Sequence, residues 1–359
     1  MQKKIAHSLL LTVICGALFA CGGSRSNDPV EPTQSALDKT LQLVVDRQII
    51  PVAQKFAAAA ASYGENADNF CALQDADSLA VLQQSWKNLA LHWYHLLPYN
   101  FGPMKNDVVF PNFMFVDAYR LRGTSYTATV REEIADVIAS TEPLGSGYFD
   151  FLPFQKGGLL ALEVLSFESA NQQRDSDAIV QSYAASSARC ELLTGHAAQL
   201  VKRAEAITVG WQQSYNGETR SYRERFLAAE LPDGTPPLTE LLTVVQEHLD
   251  YLKQRSAVTS VAQIADIPWE LMSATVAEVD ALLHGRQEDQ FNFIAVMRSA
   301  GAAQAADTVE GNLAFVYQSI DARNVTDFEV GVSLLDGNFK REIPNGLDVD
   351  LGITFTDGD

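Results

Sequence analysis

Between Asp177 and Trp211 the chain places apolar or small residues at every third or fourth position: Tyr183, Ser187, Cys190, Leu193, Ala197, Leu200, Ala204, Ile207 and Trp211. Only a helix of 3.6 residues per turn gathers such positions into one stripe; a strand would scatter them over both faces. The same spacing recurs elsewhere. It predicts helices over 35–63, interrupted at Pro51, and over 75–97, opened by Asp75 or Asp77 and stopped at Pro98. Further helices are expected at 126–141, 155–168, 236–256, 268–284 and 305–323, with a shorter one at 288–299. Gly285 is placed to stop the helix that ends at His284. Tyr99–Gly123 and Gly145–Pro153 read as irregular. Four helices precede about residue 173, and four or five follow. With 47% hydrophobic residues there is material for a large core, so the expected fold is all-α, two helical bundles in tandem. The Gly- and Asp-rich tail Val330–Asp359 is expected to be irregular, with an extended stretch at Val349–Phe355.

The first residues read as a targeting segment. Lys3 and Lys4 precede an apolar run from Ile5 to Ala20, which ends in Leu18-Phe19-Ala20-Cys21-Gly22. A small residue before a cysteine at that place is how a bacterial lipoprotein signal ends, which makes Cys21 the expected lipidation site. Residues 1–20 would be removed, and the polar stretch 21–34 would tether the body to the membrane. Glycine rather than aspartate after Cys21 points to the outer membrane, facing the periplasm. No other stretch of the sequence is long and apolar enough to span a bilayer.

The whole sequence carries a net charge of −19, and losing the two signal lysines makes the remainder more acidic. Such a surface repels phosphate backbones, so nucleic acid is not an expected partner. Cys15 leaves with the signal and Cys21 takes lipid, leaving Cys71 and Cys190 in an oxidising compartment. A disulfide between them and two separate buried thiols are both open.

Residues 156–168 read KGGLLALEVLSFE. On a helix this segment is apolar all round and therefore central, yet it carries Glu163 in its middle. A carboxylate there must be paired, metal-bound, hydrogen-bonded or protonated. His92 and His95 share a helix face but lack a carboxylate in register, and two histidines do not close a metal site. His196, His248 and His284 are isolated and read as structural. There is no HExxH, no GxSxG and no Gly-rich phosphate loop.

The segment Gly158-Leu159-Leu160-Ala161-Leu162-Glu163 resembles the Gly-x-His-x-x-Glu hallmark of the imelysin-like (M75) family, with Leu160 in place of the histidine. Ser85-Trp86 with Phe101-Gly102-Pro103, Arg189-Cys190-Glu191-Leu192 with Trp211, and the ending from Asn345 to Asp359 are similar to other stretches of that family. The resemblance implies two four-helix bundles packed side by side, here 35–173 and 174–359, with a site at their interface. It implies bacterial iron uptake or homeostasis, and periplasmic haem-containing redox or iron-transport proteins as partners. Gly158, Glu163, Trp86, Arg122 and Arg189 are the expected ligand-binding residues, with Gly158 admitting a neighbouring helix. An arginine paired with Glu163 is the structural alternative. Leu160 cannot ligate a metal, so Glu163 is the sole metal candidate, and iron or any other cofactor has no support from ligand spacing. A non-catalytic binding protein is the leading expectation, and a metal-dependent peptidase of the M75 type the alternative.

Overall fold

A computed structural model describes residues 32–105, 111–121, 123–140, 144–145, 147–286 and 292–351. The signal segment, Cys21, Arg122 and the end of the expected extended stretch lie outside the described residues. Among the described residues no helix is long and apolar enough to cross a membrane.

The fold is all-α, and its only sheet among the described residues is a two-stranded hairpin, Arg120–Leu121 paired with Thr124–Ser125. Helix α1 (Pro32–Val44) runs through a π-helical turn, Val45–Ile49, into α2 (Ile50–Leu73). Pro51 therefore does not interrupt the segment. It falls in the first turn of α2, where a missing N–H costs little, and the π turn absorbs the extra residue. Helix α3 (Ala76–Leu96) is capped by Asp75, whose Oδ1 accepts from the Ser78 N–H at 2.8 Å. Then follow α4 (Thr127–Ala139), α5 (Gly158–Phe167), α6 (Ser176–Ala184) and α7 (Ser187–Gln212). The long stripe is thus two helices. The break at Ala185–Ser186 lets the chain turn while Tyr183, Leu193, Ala197, Leu200, Ala204, Ile207 and Trp211 all remain buried.

Helices α2, α3, α5 and α7 form the first bundle. Helices α8 (Pro237–Gln254), α9 (Pro268–His284), α11 (Ala303–Asp321) and α12 (Val325–Lys340) form the second, with α10 (Phe293–Ser299) beside them. Packing places α6 and α7 in the first bundle, so the division falls after α7 and not at 173. The small residues of α7 allow it to lie close against α2. The disulfide between Cys71 and Cys190, with Cα atoms 5.7 Å apart, joins the end of α2 to the start of α7. It closes a separation of 119 residues. The variant carrying both Cys71→Ala and Cys190→Ala is expected to lose about 2–4 kcal/mol of unfolding free energy, read by denaturant titration.

The tail is less irregular than its composition implies. Phe328, Val332, Leu335 and Phe339 form a buried stripe on α12, and a further short helix spans Glu342–Leu347. Gly331, one of the tail's glycines, serves packing. A Cβ there would come within 2.7 Å of the Val316 side chain on α11. The bundles meet chiefly where α3 packs on α9. Polar bonds cross the same seam: Gln48 donates to the Ala281 carbonyl at 2.6 Å, and Tyr99 donates to Glu278 at 2.9 Å.

Candidate functional site

Helix α5 is buried on all sides from Leu159 to Phe167, which makes it the axis of the first bundle. Glu163, 1% exposed, points from it toward the second bundle. Its Oε1 accepts two consecutive backbone N–H groups, from Ile264 at 3.0 Å and Ala265 at 2.8 Å. Those amides sit in a tight turn between α8 and α9, flanked by Ala262 at φ +48° and Asp266 at φ +56°. Two non-glycine residues in the left-handed region cost of order 1 kcal/mol or more each, so the packing around the turn must hold them there. Among the described residues no arginine pairs with Glu163; backbone dipoles from the other bundle take that place.

The carboxyl's proton affinity records this balance. Burial pushes its pKa up to about 7, while the Ala265 N–H, Tyr119 and the Ile264 N–H pull it down. The Tyr119 hydroxyl is buried beside the carboxyl but makes no hydrogen bond of regular geometry.

In front of Glu163 and Leu160 opens a pocket of about 280 Å³ between the bundles. The first bundle and the hairpin supply Tyr119, Arg120, Ser125, Thr127, Arg131 and Arg174; the α8–α9 connection supplies Thr259, Ser260 and Gln263. Behind it lies a second buried carboxylate, Asp117. It accepts from Arg255 at 2.8 Å and from the Trp93 indole at 3.1 Å. This ion pair bridges the bundles and is fully enclosed, at 1% and 2% side-chain exposure.

The expected site residues are dispersed. Gly158 opens α5 at φ +68°, and a Cβ there would lie 2.4 Å from the Val116 carbonyl oxygen and 2.7 Å from that of Phe115. Its neighbour is therefore the backbone at the end of a short 3-10 turn, Asn112–Phe115, and not another long helix. Gly158→Ala is expected to cost about 2–3 kcal/mol, from strained backbone and overpacking, in thermal or chemical unfolding. Trp86 does not line the cleft. It is buried behind α5, donating to the Leu159 carbonyl at 3.2 Å and meeting Phe167 edge-on at 5.5 Å. Arg189 is buried too, donating to the Glu168 carbonyl and lying over the Tyr183 ring, and so it fixes the end of α5 outside the pocket. Long polar side chains such as these were expected at a cleft, but each is consumed in supporting the helix.

The histidines are also accounted for. His92 and His95 have ring centroids 6.4 Å apart, and His95 meets Glu278, itself gripped by Arg286 at 2.6–2.7 Å. Burial pushes the pKa of His196 down to about 4 and that of His248 to about 3, so both are neutral core groups. Among the described residues no three His, Cys, Asp or Glu side chains converge as a protein-held metal requires.

Sequence reading missed Asp117, Arg120, Arg131, Arg174 and Arg255. Asp117 carried a usable signal, an acid in the apolar run Phe113–Tyr119, of the kind that marked Glu163. The arginines carried none.

Residues 49–266 match the Imelysin family (peptidase M75), from the start of α2 through the turn that binds Glu163. The chain belongs to the imelysin family. The fold of this imelysin-family protein is similar to a crystal structure of an imelysin-like protein from Psychrobacter arcticum 273-4. Identity is 16% and the TM-score 0.63, covering 89% of this chain and 97% of that one. It is also similar to a protein from Parabacteroides distasonis ATCC 8503 described as a candidate iron-regulated protein A precursor. There the identity is 11% and the TM-score 0.63, with the same coverage of both chains. No curated protein matches the chain.

Proposed function

We propose that this imelysin-family protein is a non-catalytic binding component of iron uptake or homeostasis. It is held by lipid at Cys21 to the outer membrane and faces the periplasm. The observation that carries the binding role is the inter-bundle pocket, walled by Glu163 and by polar groups from both bundles. Iron enters the reading through the Parabacteroides neighbour's description as iron-regulated. The anchor rests on the sequence around Cys21. Periplasmic haem-containing redox proteins or iron transporters are the partners this role calls for.

The test is elemental and small-molecule analysis of the protein purified from its native envelope, beside a Thr259→Trp variant. Thr259 is an exposed residue at the pocket wall, so a bulky ring there blocks the pocket without disturbing the core. Co-purifying iron or a small molecule that Thr259→Trp loses supports the reading. An empty protein in both preparations, from iron-replete and iron-starved cells alike, rejects it. Globomycin should make an uncleaved, larger precursor accumulate in the membrane fraction, and Cys21→Ser should abolish incorporation of a labelled fatty acid; a protein that neither changes has no lipid at Cys21.

The M75 classification of the family favours one second reading, a metal-dependent peptidase. Proteolysis that a chelator abolishes would establish it. The pocket's donor set gives it no further support, since a zinc site needs three protein ligands and an activated water.

A further inference from the structure

The pocket's charge runs against that of the molecule. The chain is strongly acidic, with a net charge of −19, yet three arginines converge on this one cavity. Arg131 makes a bidentate pair with the buried Glu168, at 2.8 and 2.6 Å, and Arg174 approaches the same carboxylate at 3.7 Å. Two guanidinium groups thus share one carboxylate. Arg120 is held at the cavity wall by the Arg120–Leu121 strand, and its Nε is buried without any hydrogen-bond partner. Among the described residues no carboxylate pairs with it. Glu163 also lines the cavity, its Oε1 held by two amides of the opposite bundle; with Glu163 and Glu168 both ionised, three guanidinium groups still face two carboxylates. Of the lining hydroxyls, Thr259 and Ser260 donate to the Ser256 and Arg255 carbonyls and Ser125 bonds Thr127, which leaves the guanidinium groups as the cavity's chief donors. A buried donor without a partner is costly, and a cavity with uncompensated positive charge stabilises an anion that reaches it.

We propose that the inter-bundle pocket binds a compact oxyanion, a carboxylate or phosphate group of a small molecule, with Arg120 as its principal contact and Arg174 and Arg131 beside it. The inference rests on reading this cavity as the ligand site, and it names the ligand's chemistry. At about 280 Å³ the cavity suits a small organic acid and not a polymer. It also explains how an iron-linked protein can lack a cluster of metal-binding side chains: the metal would arrive already wrapped as an anionic carboxylate chelate.

Isothermal titration of the purified protein at low ionic strength tests this with four probes: citrate, ferric citrate, inorganic phosphate and Fe²⁺ alone under anaerobic conditions. Binding of at least one anionic probe is expected. It should weaken tenfold or more in Arg120→Gln, weaken as salt is raised, and be unchanged in Lys202→Gln outside the pocket. Citrate against phosphate separates an organic acid from a phosphate source. Arg174→Gln alters a half-exposed side chain and supplies the same reading, at smaller amplitude, if Arg120→Gln does not fold. Fe²⁺ binding that Thr259→Trp blocks, with no anion binding, overturns the oxyanion proposal and leaves the pocket as the ligand site. Anion binding that both arginine variants leave intact overturns it as well. No binding of any probe, together with an empty native protein, overturns both readings.

Discussion

Arg255→Ala is expected to lower the unfolding free energy by about 3–5 kcal/mol. The guanidinium is the only cation bonded to Asp117 among the described residues, and both side chains are sealed from water in the seam between the bundles. Removing it leaves a carboxylate held by the Trp93 indole alone, and breaking one side of a buried pair typically costs that much. The Tyr251 ring, over which Arg255 lies at 4.7 Å, loses its packing as well. The pair itself is an expensive way to join two bundles. Two Arg255 nitrogens, Nε and Nη1, are buried without partners. The double variant Asp117→Asn with Arg255→Met should therefore recover a substantial part of the loss. Chemical denaturation of the four proteins of that cycle beside Arg255→Ala measures it. A double variant no better than Arg255→Ala would mean that the seam depends on shape and not on charge balance.

The second large effect divides between two substitutions at Glu163. Glu163→Ala strands the Ile264 and Ala265 amides, each at roughly 1–3 kcal/mol, so a loss of about 3–5 kcal/mol is expected at pH 5. Glu163→Gln keeps a carbonyl-type oxygen for both amides and should behave differently. The folded protein holds the Glu163 proton up to about pH 7, whereas the unfolded chain releases it near 4.5. Between those values the native state binds more protons than the unfolded one, so stability falls as pH rises and the penalty is complete above pH 7. At 1.36 kcal/mol per pH unit it amounts to about 3 kcal/mol. Glu163→Gln cannot ionise. Its unfolding free energy should match the wild type near pH 5 and exceed it by up to that amount at pH 8. Parallel stability curves for the two proteins from pH 5 to 8 would show that the carboxyl does not titrate in this window.

Both effects arise where sequence reasoning was strongest in kind and weakest in detail. Glu163 stood out because an acid in an apolar helix demands an explanation, and the same logic applied to Asp117 would have found another buried carboxylate. What each carboxylate binds was not legible. Glu163 is met by backbone amides, which leave no trace in residue identity, and Asp117 by an arginine 138 positions away. Trp86 and Arg189 failed as pocket residues for a related reason. A large polar-tipped side chain can line a cleft or brace a helix, and its identity does not distinguish the two.

The sequence by itself determined the all-α class, most helix positions, a cap at Asp75 or Asp77, the burial of α5 and the family, because periodicity, capping and local motifs act within one element and its immediate neighbours. Tertiary structure alone decided that α7 belongs to the first bundle and that Cys71 meets Cys190. It also decided that three arginines from separate segments share one cavity, and that Ala262 and Asp266 adopt left-handed backbone to aim two amides at Glu163. Those outcomes depend on contacts between residues distant in the chain, where packing outweighs local preference.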